Sequence, residues 1–379
     1  MKIIYFVRSL PPYWSNRIDV DHIIKTLIKE GHQITVFDIK QRMLLNCNED
    51  IREYYVENLK CFDKTPLYLL INFIVFVWFL LKNKGKYDVA HIFYVREEHL
   101  ILQRLLKGFA SKLYLTIYGS DFNIKNFIKK KFKKLYVVAD IITVTNEGMV
   151  EQIVNENSEL QFKNSIKVLM LPQVRFNQYE NFHWEDKELA KKKLGFSKYN
   201  KVIIVGTSAV NYEQHSEIID ELSQNETKNL LFVFPLTYGT GNFRVYRSKI
   251  KDYAIKKITN NDIMILTEYL AENELADLRI ASDILINLRK NDQLVASMLE
   301  SFLVGAEVIA GSWLPYRVLS NLGVSFESID KISDINRVLL EIVNLNFDNR
   351  KNKLEKNREI ISTEYSFESD LLKWMEYYN

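Results

Sequence analysis

Short β-branched runs alternate with helical patterns along this chain, in two series separated by a break. In the first series, runs at 3–7 and 33–39 flank a segment with apolar residues at helical spacing, Ile23, Ile24, Leu27 and Ile28. The pattern becomes polar and aperiodic after Pro172, and a second series begins at 201–205. Such alternation favours a parallel, doubly wound sheet. Because 379 residues are long for one core, we predict an α/β fold with two such domains.

The break sets the predicted domain boundaries, which are 1–171 for the first domain, 172–185 for a linker and 186–360 for the second domain. An apolar helix is predicted at 361–379, where Phe367, Leu371, Trp374 and Met375 recur at helical spacing. The pattern alone leaves open whether this terminal helix packs on its own domain or on the first.

Composition and charge exclude several classes of protein. The formal net charge of +3 is too small for a nucleic-acid-binding surface. Two cysteines, Cys47 and Cys61, cannot build a disulfide framework and fit a reducing compartment. The apolar run at 3–7 is too short for a signal peptide. We therefore expect the chain to be made and kept in the cytoplasm.

The segment from Asp292 to Glu300 carries the main candidate site. Asp292 lies in a loop after a predicted strand at 283–288, and Glu300 lies about one turn inside a predicted helix at 294–304. Ligands of open α/β sheets bind at this carboxyl edge, and a helix N-terminus there offers backbone N–H groups to a phosphate. The candidate donors are the N–H groups of Ala296, Ser297 and Met298. The two acids could hold hydroxyls on either side of the phosphate, which is the chemistry of a nucleotide-sugar site. The same spacing also arises by chance, with Glu300 on a solvated face.

This segment resembles the E-x(7)-E region of retaining, family 4-like glycosyltransferases with the GT-B fold. Glu300 matches the second acid of that motif, and Asp292 stands in place of the first glutamate. The continuation at 300–310, ESFLVGAEVIA, is similar to the family run E-A-x-x-x-G-x-P-V-I-A. Weaker likenesses occur at 31–37, 87–92, 118–121, 139–149 and 274–283.

The resemblance implies the arrangement of the whole chain. Two Rossmann-like domains would enclose a nucleotide-sugar cleft, with an acceptor-binding first domain and a nucleotide-sugar-binding second domain. The terminal helix would cross back onto the first domain. Glu300 would bind the nucleotide ribose, and Asp292 would contact the donor sugar. Asp121 would face the cleft and orient the acceptor or act as a base, although capping of the next helix is an equal alternative.

Two departures from family 4 affect the diphosphate and the stereochemistry. The run at 205–215, VGTSAVNYEQH, lacks the arginine and lysine that bind the diphosphate in that family. We expect the hydroxyls of Thr207 and Ser208 to face the diphosphate instead. Arg289 or Lys290 would supply positive charge, unless they are surface residues. The same run and the segment at 234–239 resemble the inverting family 56 fucosamine-type transferases, and Tyr238 and Gly239 would lie close to the sugar. The stereochemical outcome stays open, with retention slightly favoured.

No metal ion or cofactor is predicted beyond the donor substrate. The six histidines show no zinc-ligand spacing, and Asp19-Val20-Asp21 is better explained as the start of a helix than as a metal-binding pair. We therefore predict a metal-independent enzyme.

Two segments bear on membrane contact. The segment at 124–136 would form a helix with one apolar face and an opposite basic face, which carries Lys129, Lys130, Lys133 and Lys134. Such a helix binds anionic lipid or is simply solvated. The apolar run at 67–81 is too short to span a bilayer and favours a core helix over shallow insertion.

Together these observations predict a glycosyltransferase of the hexosyltransferase type. It would move a sugar from a nucleotide-sugar to a lipid-linked or oligosaccharide acceptor in surface polysaccharide synthesis, for a capsule or an O-antigen. It would act peripherally on the inner face of the cell membrane. The alternatives are an inactive GT-B relative that binds another transferase, and a UDP-sugar epimerase.

Overall fold

The computed structural model shows two compact units, one formed by Met1–Val174 with Glu368–Asn379 and the other by Arg175–Phe367. The residues that it describes are 1–7, 18–38, 43–46, 74, 76–93, 95, 99, 103–117, 133–157, 166–239, 242–294 and 296–378.

The first unit contains a sheet whose described strands have the order β3-β2-β1-β4-β5-β6-β7. Its strands are β1 (Lys2–Val7), β2 (Gln33–Asp38), β3 (Met43–Asn46), β4 (Tyr87–Phe93), β5 (Ala110–Ile117), β6 (Ile141–Val144) and β7 (Ile166–Val168). Neighbouring strands pair in parallel, except that β3 is antiparallel to β2. The helices are α1 (Ile18–Lys29), α2 (Gln103–Leu106) and α3 (Glu147–Glu156), with further helical residues at 76–82 and 133–138.

The second unit contains a sheet with the strand order β10-β9-β8-β11-β12-β13 and parallel pairing throughout. Its strands are β8 (Lys201–Val205), β9 (Leu230–Pro235), β10 (Asp262–Leu266), β11 (Ile284–Asn287), β12 (Glu307–Gly311) and β13 (Glu327–Ile329). Its helices are α4 (Trp184–Leu194), α5 (His215–Leu222), α6 (Phe243–Lys257), α7 (Glu272–Ala281), α8 (Ala296–Leu303), α9 (Arg317–Asn321), α10 (Ile335–Asn344) and α11 (Phe347–Glu364). Short 3₁₀ helices lie at Val174–Tyr179, Asn211–Glu213 and Ile332–Asp334.

The strand order of the second sheet fixes where a ligand can bind. The chain leaves β8 towards β9 and β10 on one side, and β11 returns beside β8 on the other side. The loops that follow β8 and β11 therefore diverge at the carboxyl edge of the sheet. This is the topological switch point at which open α/β sheets bind ligands. The predicted fold class, α/β with two doubly wound sheets, is confirmed, with the antiparallel edge strand β3 as an addition.

The first sheet is buried on both faces. Ile4 and Phe6 of β1 belong to one buried apolar cluster, whereas Ile3 and Tyr5 belong to another. Alternate residues of a strand point to opposite faces, so helices must cover both sides of this sheet.

The terminal helix α12 (Phe367–Tyr378) covers one of those two faces. Trp374 is fully buried there, and its indole Nε1 donates to the carbonyl oxygen of Met170 over 2.7 Å. The hydroxyl of Tyr378 hydrogen-bonds Nδ1 of the buried His91. This helix therefore packs on the first unit, although the chain that leads into it belongs to the second.

Of the predicted apolar helix at 67–81, the structure describes residue 74 and residues 76–81. Phe76, Phe79 and Leu80 are buried in the core of the first unit. Ile74, Trp78 and Leu81 each expose more than half of their surface. The helix thus has a core face and an exposed apolar face. Within the described part of the chain, no helix has the length and apolar character needed to cross a bilayer.

Candidate functional site

Gly206 follows β8 and turns the chain at the switch point with a φ of +69°. A Cβ at this position would lie 2.7 Å from Nε2 of His215 and 3.0 Å from Oε2 of Glu213. Only glycine therefore permits both the left-handed backbone and the close approach of these two buried side chains. His215 itself is kept neutral, because burial and the nearby Arg289 lower its pKa to about 3.

Glu213 is the centre of the loop that follows β8. Its side chain is fully buried, and its Oε1 accepts hydrogen bonds from Thr207 Oγ1 over 2.9 Å and from Ser208 Oγ over 2.6 Å. A hydroxyl has a single proton to donate. In this arrangement Thr207 and Ser208 each donate their one hydrogen bond to Glu213, so neither hydroxyl can donate to a phosphate oxygen.

Arg289, in the loop that follows β11, links that loop to Glu213. Its Nε lies 3.4 Å from Oε1 of Glu213, and its Nη1 donates to Oδ1 of Asp292 over 3.0 Å. Burial alone would lower the pKa of Arg289, but the two carboxylates raise it above its usual value. Arg289 is thus a buried residue with two acidic partners. Lys290, the other predicted cation, is exposed.

Asp292 is held from three sides. Besides Arg289, the hydroxyl of Tyr316 donates to its Oδ2, and Asn287 Nδ2 lies 3.4 Å from the same oxygen. Asn287 also donates to the Tyr316 hydroxyl over 2.7 Å. Burial and the neighbouring Asp292 raise the pKa of Tyr316 well above its usual value, so the phenol stays a donor. A carboxylate has about four acceptor positions, which leaves Asp292 capacity for a ligand hydroxyl.

Helix α8 begins at Ala296, two residues after Leu294, whose φ is +62°. The first N–H groups of a helix have no partner within it, so those of Ala296, Ser297 and Met298 are available for capping or for a ligand. Glu300 lies in the second turn and is 1% exposed. Its Oε2 accepts from Arg279 Nε over 3.1 Å.

Tyr238 and Gly239 follow β9 at the same edge of the sheet. The carbonyl oxygen of Tyr238 accepts from the N–H of Ala209 over 2.6 Å, which ties this loop to the one after β8. A Cβ on Gly239 would overlap the carbonyl oxygen of Ala209, so the close approach requires glycine. The Tyr238 ring is 40% exposed and stacks on Tyr269 with centroids 6.0 Å apart. Desolvation together with the nearby Glu213 carboxylate raises the pKa of Tyr238.

The structure brings most of the predicted donor residues to one edge of the second sheet. Thr207, Ser208, Arg289 and Asp292 belong to one network with Glu213, whereas Glu300 pairs separately with Arg279. Asp121, Lys129 and Lys130 lie outside the described residues. Lys133 and Lys134 lie in the first unit, in the helical segment at 133–138.

Several residues of the site are not singled out by the sequence pattern, namely Glu213, His215, Arg279, Asn287 and Tyr316. Glu213 and His215 lie in the run that departs from family 4, so that departure was a usable signal. Arg279, Asn287 and Tyr316 become recognisable only through their contacts. Among the described residues, no group of three or more histidine, cysteine, aspartate or glutamate side chains is placed to hold a metal ion.

Comparison with known proteins identifies the fold. No protein-family model and no curated protein sequence matches the chain. Among solved structures, a glycosyltransferase from Rickettsia africae is 17% identical over 100% of this chain and 97% of its own, with a TM-score of 0.70. HepE from Anabaena, solved with UDP-glucose, is 12% identical over 100% and 99%, with a TM-score of 0.71. Sucrose-phosphate synthase from Thermosynechococcus elongatus is 14% identical over 100% and 98%, also with a TM-score of 0.71. At these identities the likeness establishes the GT-B type of fold.

Proposed function

We propose that this chain is a glycosyltransferase that transfers a sugar from a nucleoside diphosphate sugar, with a UDP-sugar as the first candidate. The proposal rests mainly on the geometry around α8. A helix N-terminus lies at the switch point of the second sheet, with the fixed carboxylate of Asp292 before it and the buried Glu300 within it. The likeness to HepE, which was solved with UDP-glucose, supports this donor class.

The proposed roles follow from where charge develops during transfer. Cleavage of the donor leaves negative charge on the diphosphate, and preorganised N–H groups stabilise that charge. We assign this role to the N–H groups of Ala296, Ser297 and Met298. Asp292 accepts a hydrogen bond from a sugar hydroxyl, and Glu300 accepts one from the ribose. Thr207 and Ser208 hold Glu213 in place, and Glu213 with Asp292 fixes Arg289.

The acceptor and the cellular setting are the finer part of the proposal. We infer a lipid-linked or oligosaccharide acceptor, surface polysaccharide synthesis and peripheral contact with the inner membrane face. The exposed side chains of Ile74, Trp78 and Leu81 support membrane contact, because they lie on one side of a helix that continues into Lys82. An aromatic and aliphatic face beside lysines suits the lipid–water interface. Asp121 stays the candidate residue for orienting the acceptor or acting as a base.

The donor is tested with a panel of UDP-, GDP-, dTDP- and CMP-sugars, first by thermal shift and then by calorimetry. Glu300→Gln should weaken binding of the preferred nucleotide about tenfold or more, since a charged acceptor contributes about 1.5–3 kcal/mol. Asp292→Ala should reduce turnover more than it reduces binding of the nucleotide alone, because its contact is to the sugar.

The same panel separates the alternatives. Donor binding without turnover on any glycan acceptor would indicate an inactive relative. Release of an epimerised sugar in the absence of acceptor would indicate an epimerase. Donor binding that is unchanged in Glu300→Gln would remove Glu300 from the site.

A further inference from the structure

Glu300 and Arg279 form a buried ion pair in the second unit. Arg279 lies in the last turn of α7, and both side chains are almost inaccessible, at 6% and 1% exposed. The Nε of Arg279 donates to Oε2 of Glu300 over 3.1 Å. This charge-assisted hydrogen bond occupies Oε2 of Glu300.

The second oxygen of Glu300 has no hydrogen-bond donor among the described residues. Oε1 is buried, and Nε of Arg175 lies 3.7 Å from it, beyond hydrogen-bonding distance. Tyr179 lies close enough that burial and the Glu300 carboxylate raise its pKa above the usual value. A buried acceptor without a donor is unfavourable unless a ligand or water completes it.

We propose that Arg279 is a positioning residue that assigns the two oxygens of Glu300 different tasks. It occupies Oε2, so that Oε1 alone accepts a hydroxyl of the ribose in a nucleoside diphosphate. This inference rests on the proposed function and specifies how that site recognises its donor. A single fixed acceptor oxygen recognises one ribose hydroxyl strongly, so removal of that one hydroxyl from the nucleotide is expected to reveal it.

A second buried arginine–glutamate pair in the same unit provides a matched control. Arg350 Nη1 lies 3.4 Å from Oε1 of Glu307, and the two side chains are buried as deeply as Arg279 and Glu300. Glu307 has a second cationic neighbour, Lys353, whose Nζ lies 2.8 Å from its Oε2. Glu307 is the first residue of β12, at the opposite edge of the sheet from the switch point. Loss of Arg350 therefore tests the effect of removing a buried cation without touching the nucleotide site.

The experiment measures binding of UDP, 2′-deoxy-UDP and 3′-deoxy-UDP by calorimetry, using the full chain. Wild type should bind UDP about tenfold or more tightly than one of the two deoxy analogues, the loss expected for one hydrogen bond to a charged group. Arg279→Met should bring UDP and that analogue to nearly equal affinity. Arg279→Lys, which keeps the charge but not the Nε–H contact, should reduce the preference in part. Arg350→Met should leave the preference unchanged.

A double variant tests whether Arg279 acts through Glu300. In the Glu300→Gln background, Arg279→Met should change UDP affinity little further, because the residue that it positions is already altered. The inference is overturned if folded Arg279→Met and Arg279→Lys both keep the wild-type preference. It is also overturned if wild type binds UDP without preferring it to either analogue. Failure of wild type to bind any of the nucleoside diphosphates in the donor panel would instead remove the proposed function.

Discussion

Arg289 joins the two loops at the switch point through buried charges, beside a backbone hydrogen bond from the Lys290 N–H to the Tyr212 carbonyl oxygen over 2.7 Å. Glu213 reaches it from the loop after β8, and Asp292 reaches it from its own loop. Removing one member of such a cluster leaves the others desolvated and incompletely paired, which is strongly destabilising. The local shape of the site thus depends on each of these three residues.

For this reason we expect Glu213→Gln to lower the free energy of unfolding by about 3 kcal/mol, as is typical when one partner of a buried ion pair is lost. Thr207 and Ser208 would also lose the charged oxygen to which they donate. Urea denaturation is the measurement, and the exposed Glu217 in α5 provides the control Glu217→Gln, for which a change within about 0.5 kcal/mol is expected. Equal effects of the two substitutions would show that the network does not stabilise the fold.

His215 should make the free energy of unfolding of the second unit fall at acidic pH. Its folded-state pKa is about 3, whereas the unfolded side chain titrates near 6.5. As the pH falls, the unfolded chain therefore binds a proton at this histidine before the folded chain does. The contribution of His215 to the free energy of unfolding is complete above pH 6.5 and declines below it. Between pH 6.5 and 3 the decline is about 1.4 kcal/mol per pH unit from this residue. In His215→Gln this slope should be absent, so the difference in unfolding free energy between wild type and variant should shrink with acidification. Curves that stay parallel from pH 7.5 to pH 5 would contradict the assignment.

The terminal helix α12 is an element whose packing can be tested directly. Trp374 is buried against the first sheet and donates to Met170, whereas Leu372 on the same helix is 63% exposed. Trp374→Ala should lower the unfolding free energy of the first unit by about 3–5 kcal/mol, since it leaves a large cavity. Leu372→Ala should change it by less than about 0.5 kcal/mol. Comparable destabilisation by the two substitutions, measured in urea, would mean that α12 does not pack as described.

The elements of the site could be predicted from sequence more readily than its network. The run at 283–288 and the helix after it show their periods clearly, and the structure has β11 at Ile284–Asn287 and α8 at Ala296–Leu303. The contact of Glu213 with Arg289 joins two loops far apart in the chain and depends on how β8 and β11 lie side by side. The periodicity of a sequence does not predict contacts between loops that are far apart in the chain. The edge strand β3 escaped prediction for another reason, because its sequence MLLN has no β-branched or aromatic residue.

At the scale of the whole molecule, the fold bears on how the donor diphosphate is held. We predict that turnover survives EDTA, because the proposed contact is the N-terminus of α8 rather than a bridging Mg²⁺ ion. The assay compares the enzyme as purified, after EDTA treatment, and after restoration of Mg²⁺ or Mn²⁺. An absolute requirement for either ion would contradict the proposed diphosphate contact.

The last prediction concerns the surface that would meet a membrane. Replacing Lys129, Lys130, Lys133 and Lys134 with Gln should weaken binding to anionic vesicles, by about 1 kcal/mol for each charge removed. Wild-type binding should also fall as salt rises, because the attraction is screened over a Debye length of about 10 Å at 0.1 M. Trp78→Ser should weaken binding by a margin that salt does not alter, since the exposed Trp78 ring contributes apolar contact.

Leu189 in α4 provides the matched control, because it is as exposed as Trp78 but lies in the second unit. Leu189→Ser should leave vesicle binding unchanged, and none of these substitutions should alter transfer to a soluble acceptor analogue. That combination of results is expected if the lysines and Trp78 hold the enzyme at the lipid surface while the donor site works independently. If the lysine and tryptophan variants co-sediment with vesicles as wild type does, these residues are merely solvated, and membrane contact must be withdrawn from the proposed function.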